Sequence, residues 1–122
     1  MLNVTKLKVL LGAATVAASA LVTPLEAQAG CGYASHYGRG DGYGGQITAN
    51  GERMNPYAMT AAHPYLPMGT RLRVSHRGRS VVVRVNDRGP YAYGRTLDLS
   101  YASFKALASP SRGEIQVCYS KV

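Results

Sequence analysis

The chain contains few of the residues from which metal and cofactor sites are usually built. It has two cysteines, three histidines and six acidic side chains, against fourteen lysines and arginines. The cysteines are far apart in sequence and the histidines show no ligand spacing, so we expect neither a metal site nor a cofactor. The apolar segment near the N-terminus is shorter than the ~20 residues that a membrane-spanning helix needs, which disfavours a transmembrane anchor.

The N-terminus has the organisation of a secretory signal peptide. Two lysines precede an apolar segment over residues 9–22, and the small-x-small pattern of residues 27–29 follows it. We predict a signal peptide over residues 1–29, with cleavage before Gly30. The protein is then expected in the periplasm or outside the cell.

A lipid anchor is the alternative to simple cleavage. Cys31 lies next to the predicted cleavage site and would be the acylated residue of a lipoprotein. Gln28 argues against this, because lipoprotein signals usually carry an aliphatic side chain at that position. We therefore expect simple cleavage, and no stable membrane insertion of the remaining chain.

The predicted mature domain covers residues 30–122 and is small. Its 93 residues bury only about 60 to 65% of the unfolded surface, so a cross-link would help to stabilise the fold. Cys31 and Cys118 lie at opposite ends of the domain, and export to an oxidising compartment predicts that they form a disulfide. Closing so long a loop contributes about 4 kcal/mol in the chain-entropy model.

The mature domain carries a net charge of +7, from twelve cationic and five acidic side chains. Such a surface suits nucleic acid, acidic lipid or an acidic polymer. Export argues against nucleic acid, and no amphipathic basic helix is present for a membrane surface. An extracytoplasmic polyanion is the expected partner class, with solubility alone as the alternative explanation of the charge.

Alternating side chains predict strands in the second half of the chain. Leu72 and Val74 alternate with polar residues, and three valines at alternate positions from 81 to 85 follow the turn HRGR. These two segments predict a β-hairpin whose second strand is largely buried. The last residues, GEIQVCYSKV, alternate again and predict a terminal strand.

The remaining segments are less regular. YASHYG has the character of the start of a strand, and GRGDGYGG that of a surface loop. After Gly94 the period changes, and Leu99, Ala102 and Ala106 predict a short helix with Ser100 as its N-cap. The residues alone thus predict a small, mostly β barrel or sandwich with one short helix.

Four carboxylates outside the glycine-rich loop are candidates for acid–base chemistry. Glu114 lies on the polar side of a strand and is expected to be solvated. Asp98 precedes the predicted helix, where a short carboxylate commonly accepts from backbone donors, so a structural role is expected. Glu52 follows the polar turn TANG and by itself is an ordinary surface glutamate.

The fourth carboxylate, Asp87, lies where a buried valine strand ends. In RSVVVRVNDRGPY the apolar run is followed directly by Asn86, Asp87 and Arg88, and a Gly-Pro turn then stops the strand. One interpretation is a site carboxyl, held ionised by Arg88 or made acidic by apolar neighbours. The other is a turn-capping residue paired with Arg88.

Four segments closely resemble the RlpA (rare lipoprotein A) family: YASHYG, ITANGERMNPYAMTAAHPYLPMGTRLRV, GRSVVVRVNDRGPY and RTLDLSYASFKAL. The resemblance covers nearly the whole mature chain. It implies a mainly β fold, a six-stranded double-psi β-barrel with one or two short helices. It also implies a septal-ring lytic transglycosylase, which cleaves peptidoglycan glycan strands, preferably peptide-free ones, to anhydromuramic acid ends.

The resemblance also implies the site residues. Asp87 is expected to act as acid and base, Glu52 to stabilise positive charge or share the proton, and His63 to orient a carboxylate. The roles of Asp87 and Glu52 could be exchanged. Substrate contacts are expected from Tyr37, Asn50, Asn86 and Arg88. Of these, Tyr37 would stack on sugar rings and Arg88 would pair with the lactyl carboxylate.

Other functions are compatible with the same barrel. Expansin-like and barwin-like proteins share it and bind or loosen wall polysaccharide, so a non-catalytic wall-binding protein is the alternative function. A protein inhibitor or interaction module is a third class, favoured only by the exposed tyrosine-glycine loop. In each case we expect a monomer.

Overall fold

The computed structural model describes residues 28–122, and nearly all of the predicted signal peptide lies outside them. These residues form six strands and one α-helix, with a 3-10 turn at Pro110–Arg112. In chain order the elements are β1 (Ala29–Tyr37), β2 (Thr60–Ala62), β3 (Arg71–His76), β4 (Arg79–Asp87), β5 (Arg95–Ser100), α1 (Tyr101–Lys105) and β6 (Glu114–Lys121).

The six strands close into a barrel in the order β1-β5-β2-β4-β3-β6. β1 is parallel to β5 and β2 is parallel to β4, whereas the other neighbouring pairs are antiparallel. Closure pairs every strand on both sides, so the barrel leaves no open sheet edge. The predicted six-stranded, mainly β fold with short helices is confirmed.

The barrel core is filled by alternating aliphatic side chains. Leu72 and Val74 of β3 are fully buried between exposed neighbours, and Ile115 and Val117 of β6 follow the same pattern, as predicted. Phe104 of α1 belongs to the same buried cluster. Burying each of these side chains contributes about 1.5 to 3 kcal/mol, so the alternation itself sets which face of each strand turns inward.

β5 corrects the expectation of a helix that includes Leu99. Leu97 and Leu99 are buried in β5, which pairs with β1, and the helix begins only at Tyr101. β5 continues directly into α1, and buried apolar residues lie on both sides of the junction. Their spacing in the sequence therefore did not show where the strand ends. Ser100 is the N-cap as predicted, because its hydroxyl oxygen accepts from the N–H of Ser103 at 3.2 Å.

β3 and β4 form the predicted hairpin. The turn consists of Arg77 and Gly78, with φ values of 46° and 81°. Two residues with positive φ are characteristic of a type I′ turn, whose twist matches that of the flanking strands. The tip of the hairpin therefore presents an arginine.

β4 departs from strict alternation just before it ends. Ala61 of β2 pairs with Val85, but Ala62 pairs with Asp87, so Asn86 is the extra residue of a bulge. A bulge redirects the side chains next to it. Asn86 is buried there, with 2% of its surface exposed.

Cys31 and Cys118 form the predicted disulfide. They are directly paired residues of β1 and β6, and the bridge joins positions 87 residues apart. Within residues 28–122, no helix has the length and apolar character needed to cross a membrane.

Candidate functional site

Asp87 lies at the end of β4, half-buried and held by donors from three segments. Its Oδ1 accepts from the backbone N–H groups of Ala49, at 3.0 Å, and Arg88, at 2.9 Å. Its Oδ2 accepts from the hydroxyl of Tyr37 at 2.9 Å. Because a carboxylate oxygen can accept two hydrogen bonds, Oδ2 has capacity for one further partner.

Tyr37 is the last residue of β1 and delivers a neutral donor to Asp87. Burial, followed by the hydrogen bond to Asp87, raises the pKa of the Tyr37 phenol, so the hydroxyl keeps its proton. The ring of Tyr43, which is well exposed, lies edge-on to the Tyr37 ring with centroids 6.1 Å apart. Stacking of Tyr37 on a sugar stays a prediction, and the more exposed Tyr43 offers a ring that sequence reasoning missed.

Glu52 is held as an anion by two side chains of β4. Its Oε1 accepts from the side-chain amide of Asn86 at 2.5 Å and from the guanidinium of Arg84 at 2.9 Å. The hydrogen bond from Asn86 and then that from Arg84 lower the pKa of the Glu52 carboxyl, against a smaller effect of desolvation. Sequence reasoning missed Arg84. No signal in the sequence pointed to Arg84, because the bulge at Asn86 breaks the alternation of side chains along β4.

A loop over residues 48–52 connects the two carboxylates. The Oδ1 of Asn50 accepts from the hydroxyl of Thr48 at 2.6 Å and from the N–H of Glu52 at 3.1 Å. The N–H of Asn50 donates to the carbonyl of Asn86 at 3.2 Å. Asn50, expected to contact substrate, is thus an internal brace of the loop that brings Glu52 and Asp87 to the same end of β4.

Asn86 is also expected to contact substrate, but it is buried beneath the site. Its amide N–H is used by Glu52, and its Oδ1 has no hydrogen-bond partner among the residues described. Asn86 thus positions Glu52, and its contact with substrate stays a prediction.

The ring of His63 is not brought to either carboxylate. Its Nδ1 accepts from the N–H groups of Tyr65, at 3.2 Å, and Leu66, at 3.1 Å, so Nε2 carries the proton and donates to the hydroxyl of Tyr119 at 2.8 Å. Burial, followed by the charge of Arg88, lowers the pKa of His63 to about 4. The expected orientation of a carboxylate by this ring therefore has no direct side-chain contact in the structure.

The backbone of His63, unlike its ring, does contact Asp87. Its N–H donates to the carbonyl of Asp87 at 3.1 Å, which continues the pairing of β2 with β4. The exposed ring of Tyr65 packs edge-on against the His63 ring, with centroids 4.6 Å apart. His63 thus supports the segment that carries Tyr65, another exposed ring that sequence reasoning missed.

The pairing of the Arg88 guanidinium with Asp87, considered from the sequence, is wrong. The guanidinium donates to the carbonyls of His63, at 3.2 Å, and Leu66, at 2.7 Å, and forms no ion pair within residues 28–122. Only the backbone N–H of Arg88 contacts Asp87. Arg88 tethers the segment after β2 to the end of β4, and its contact with a lactyl carboxylate stays a prediction.

Asp98, expected to be structural, and Glu114, expected to be solvated, lie in a separate cluster around Arg95. Arg95 contacts Asp98 at 3.1 Å and Glu114 at 3.0 Å, and the hydroxyl of Ser35 donates to Asp98 at 2.6 Å. Asp98 therefore accepts from side chains rather than from the backbone donors expected. In the part of the chain that the structure describes, no three His, Cys, Asp or Glu side chains are grouped to hold a metal ion.

Comparison with known proteins places these residues in a family. The family described as "Lytic transglycolase" matches residues 29–119, which include the whole barrel up to Tyr119 and every site residue discussed above. The chain belongs to this RlpA-like double-psi β-barrel family. The site is thus part of the region that defines the family.

Relatives of this RlpA-like chain include two bacterial proteins. "Probable endolytic peptidoglycan transglycosylase RlpA" of Nostoc sp. is 58% identical over 84 residues, covering 67% of this chain and 23% of the relative. "Endolytic peptidoglycan transglycosylase RlpA" of Pseudomonas aeruginosa is 48% identical over 88 residues, covering 70% and 25%. The chain spans about a quarter of the length of these relatives.

The chain also superposes on solved structures of proteins that are named as an inhibitor and as an expansin. A Streptomyces papain inhibitor superposes with a TM-score of 0.63 at 25% identity, covering 78% of this chain and 94% of the inhibitor. An expansin of Clavibacter michiganensis superposes with a TM-score of 0.62 at 27% identity, covering 77% and 50%. A mutant of that expansin has been solved in complex with cellohexaose.

Proposed function

We propose that this RlpA-like protein is an endolytic lytic transglycosylase of peptidoglycan. It is exported, works as a monomer at the cell wall, and cleaves glycan strands, preferably those without stem peptides, to anhydromuramic acid ends. The observation that carries the proposal is the pair of unlike carboxyls at the end of β4. Asp87 has one oxygen fixed by backbone donors and one with free capacity, and the contacts of Glu52 with Asn86 and Arg84 keep Glu52 anionic.

The difference between the two carboxyls supports an assignment of roles. A general acid must carry a proton when substrate binds, and the contacts of Glu52 with Asn86 and Arg84 oppose protonation. We assign the acid and base to Asp87, because its Oδ2 has capacity for one further partner, and to Glu52 the fixed negative charge that stabilises a positive centre on the sugar. Asp87 also accepts hydrogen bonds from three donors, so exchange of the roles stays the alternative, and the comparison of Asp87→Asn with Glu52→Gln decides between them.

The reaction consumes no water. Protonated Asp87 gives its proton to the glycosidic oxygen as the bond from that oxygen to C1 of muramic acid breaks. The C6 hydroxyl of the same sugar then attacks C1, and its proton returns to the Asp87 carboxylate. One residue serves as acid and then as base, and no separate water-activating carboxylate is required.

Neighbouring residues position these groups. Tyr37 holds Oδ2 of Asp87 through its hydroxyl, and the 48–52 loop holds Oδ1. His63 acts as a positioning residue through its backbone bond to Asp87 and its support of Tyr65. The exposed rings of Tyr43, which contacts Tyr37, and Tyr65, which contacts His63, offer stacking surfaces for sugar faces.

A wall-binding protein without turnover is the second candidate. The likeness to an expansin, at 27% identity and a TM-score of 0.62, favours it. Both candidates require binding of glycan, so only product formation separates them.

The decisive test is Asp87→Asn in the purified protein with peptide-free glycan strands. Asparagine can accept the bonds from Ala49 and Arg88, so we expect a normal fold and preserved binding. It cannot donate and recover the catalytic proton, so release of anhydromuramic ends should fall on the order of a hundredfold or more. Mass spectrometry of the products measures this.

Two further variants make the test specific. Asp98→Asn is the matched control, since it neutralises a carboxyl in the Arg95 cluster: it should lower Tm but leave turnover per folded molecule unchanged. Glu52→Gln should reduce turnover less than Asp87→Asn does. Wild-type rates from a folded Asp87→Asn protein would exclude the catalytic role, and a wild type that binds strands without cleaving them would establish the expansin-like alternative.

A further inference from the structure

A second concave surface lies away from Asp87. One cleft of about 900 Å³ covers the disulfide between β1 and β6, and a neighbouring cleft of about 530 Å³ lies beside Lys105 at the end of α1. His76, Arg77 and Arg112 line both clefts. We call the continuous surface that they form the basic groove.

The basic groove carries charge that the domain does not neutralise. Its cationic lining side chains are Arg77, Arg79, Lys105 and Arg112. None of them takes part in a salt bridge within residues 28–122. The acidic residue of the lining, Glu114, is already paired with Arg95 at 3.0 Å. A concave surface lined by one sign of charge concentrates ions of the opposite sign, so the groove attracts anions.

The backbone at the tip of the hairpin also points to a use for the charge. Arg77 has a φ of 46° and is the non-glycine residue with positive φ in the described chain. Asparagine, aspartate and glycine adopt this conformation at lower cost and are preferred in type I′ turns. An arginine there is unfavourable for the turn, and this is understandable if its cation binds a ligand.

Among the described residues that line the groove, Tyr33 is the exposed large hydrophobic side chain. Tyr33 lines it with 41% of its surface exposed, and its hydroxyl accepts from the side-chain amide of Gln116 at 3.2 Å. A ring beside several cations suits a sugar that bears an anionic group. Insertion into a lipid surface would require a wider apolar face.

The basic groove is separate from the proposed catalytic site. Arg79 begins β4 and Asp87 ends it, so the two positions are eight residue steps apart, or about 26 Å along the strand. Sugars bound at Asp87 are therefore not the sugars that the groove holds.

We propose that the basic groove binds a second, uncleaved glycan strand through the lactyl carboxylates that are exposed where stem peptides are missing. This inference rests on the proposed function, because it takes wall glycan as the substrate. The groove holds the protein on one strand while the Asp87 site acts on another. The preference for peptide-free strands would then arise partly from a surface remote from the chemistry.

The test compares binding in the Asp87→Asn background, which prevents cleavage. The groove variant combines Arg77→Asn, which suits the turn, with Arg112→Gln. Its affinity for peptide-free glycan strands at about 0.15 M salt should fall on the order of tenfold, as expected for the loss of two charge-assisted contacts. The matched control combines Arg73→Gln with Lys121→Gln, exposed cations that do not line the groove, and should bind within about twofold of the parent, because at this salt concentration charges that do not contact the ligand are screened over about 8 Å.

Three probes identify the anion. Neutral chitin oligomers of the same length lack the lactyl groups, and with them the carboxylates, and should not distinguish the groove variant from its control. Equal losses in the two variants, or equal binding of chitin oligomers by the parent groove, would overturn the proposal. Tighter binding of poly(glycerol phosphate) than of glycan strands would replace the carboxylate with a phosphodiester polymer and overturn it as well.

Failure of this inference is distinguishable from failure of the proposed function. The groove is judged by binding in variants at Arg77 and Arg112, whereas the function is judged by anhydromuramic products from the protein with Asp87 intact. If no product forms but the groove variant still loses affinity, the function fails and the groove stands. If products form and the groove variant binds like its control, the groove inference fails alone.

Discussion

At the scale of single residues, Glu52 and His63 differ in the protonation state that their surroundings favour. Glu52 accepts from Asn86 and Arg84, which favour its charged form. His63 is enclosed by backbone donors and Tyr119, which favour its neutral form. The causes differ, because burial of the almost fully buried His63 lowers its pKa, whereas the hydrogen bond from Asn86 lowers the pKa of the partly exposed Glu52.

The neutral state of His63 makes stability depend on pH. Its pKa of about 4 in the folded protein lies below the ordinary value of 6.5, so the unfolded chain takes up the proton first as pH falls. The stabilisation is complete above pH 6.5 and is lost as pH falls towards 4. We expect the free energy of unfolding to fall by about 2 kcal/mol between pH 7 and pH 5 from this residue.

Urea unfolding at several pH values measures this loss. His63→Asn should be less stable at pH 7, but it should lack most of the change between pH 7 and pH 5. The same pH dependence in the variant and the wild type would show that His63 is not its source. Working above pH 5 also keeps the titration of Glu52, whose pKa is lowered, out of the measurement.

At the scale of elements, the junction of β5 and α1 depends on one side chain. The hydroxyl of Ser100 donates to the carbonyl of Ala58 at 2.6 Å, and its oxygen accepts from the N–H of Ser103. It therefore ends a strand, starts a helix and fastens both to the segment before β2. A short helix leaves many of its N–H groups without internal partners, so its cap matters more than its intrinsic propensity.

Ser100→Ala should therefore lower the free energy of unfolding by about 1 to 2 kcal/mol. Chemical denaturation is the measurement. Ser109→Ala is the matched control, since Ser109 is the cap position of the 3-10 turn but makes no side-chain capping bond, and its effect should stay within about 0.5 kcal/mol. Equal effects at the two serines would contradict the capping role of Ser100.

At the scale of the whole molecule, the disulfide joins the first and last strands of the barrel. Cys31 and Cys118 are paired residues of β1 and β6, so the cross-link reinforces strands that already hydrogen-bond to each other. Its stabilising effect comes mainly from the unfolded chain, whose freedom it reduces over a separation of 87 residues.

Replacement of both cysteines by serine should lower the free energy of unfolding by about 2 to 5 kcal/mol. Urea unfolding of the double variant gives the value, and reduced wild-type protein should reproduce it. Alkylation without reductant, on protein from its native compartment, should label neither thiol. Two labelled cysteines, or a lipid on Cys31, would contradict this prediction.

The sequence by itself determined the features that depend on local order. The alternation of Leu72 with Val74 and of Ile115 with Val117 was enough to predict β3 and β6, and the Ser100 cap followed from residue type and position. The segments shared with the RlpA family led to the double-psi barrel. Each of these signals is a pattern in the order of residues along the chain, so it can be read without knowing what the chain contacts elsewhere.

Only the tertiary structure decided the partners of the site residues. β2 has three residues, all buried, which is too short to show a period, yet its irregular pairing with β4 turns Asn86 inward towards Glu52. Tyr37 reaches Asp87 across 50 positions of sequence, and the ring of His63 turns to Tyr119 instead of to a carboxylate. These contacts depend on strand register and on barrel closure, and both are set by the packing of the whole domain rather than by any one segment.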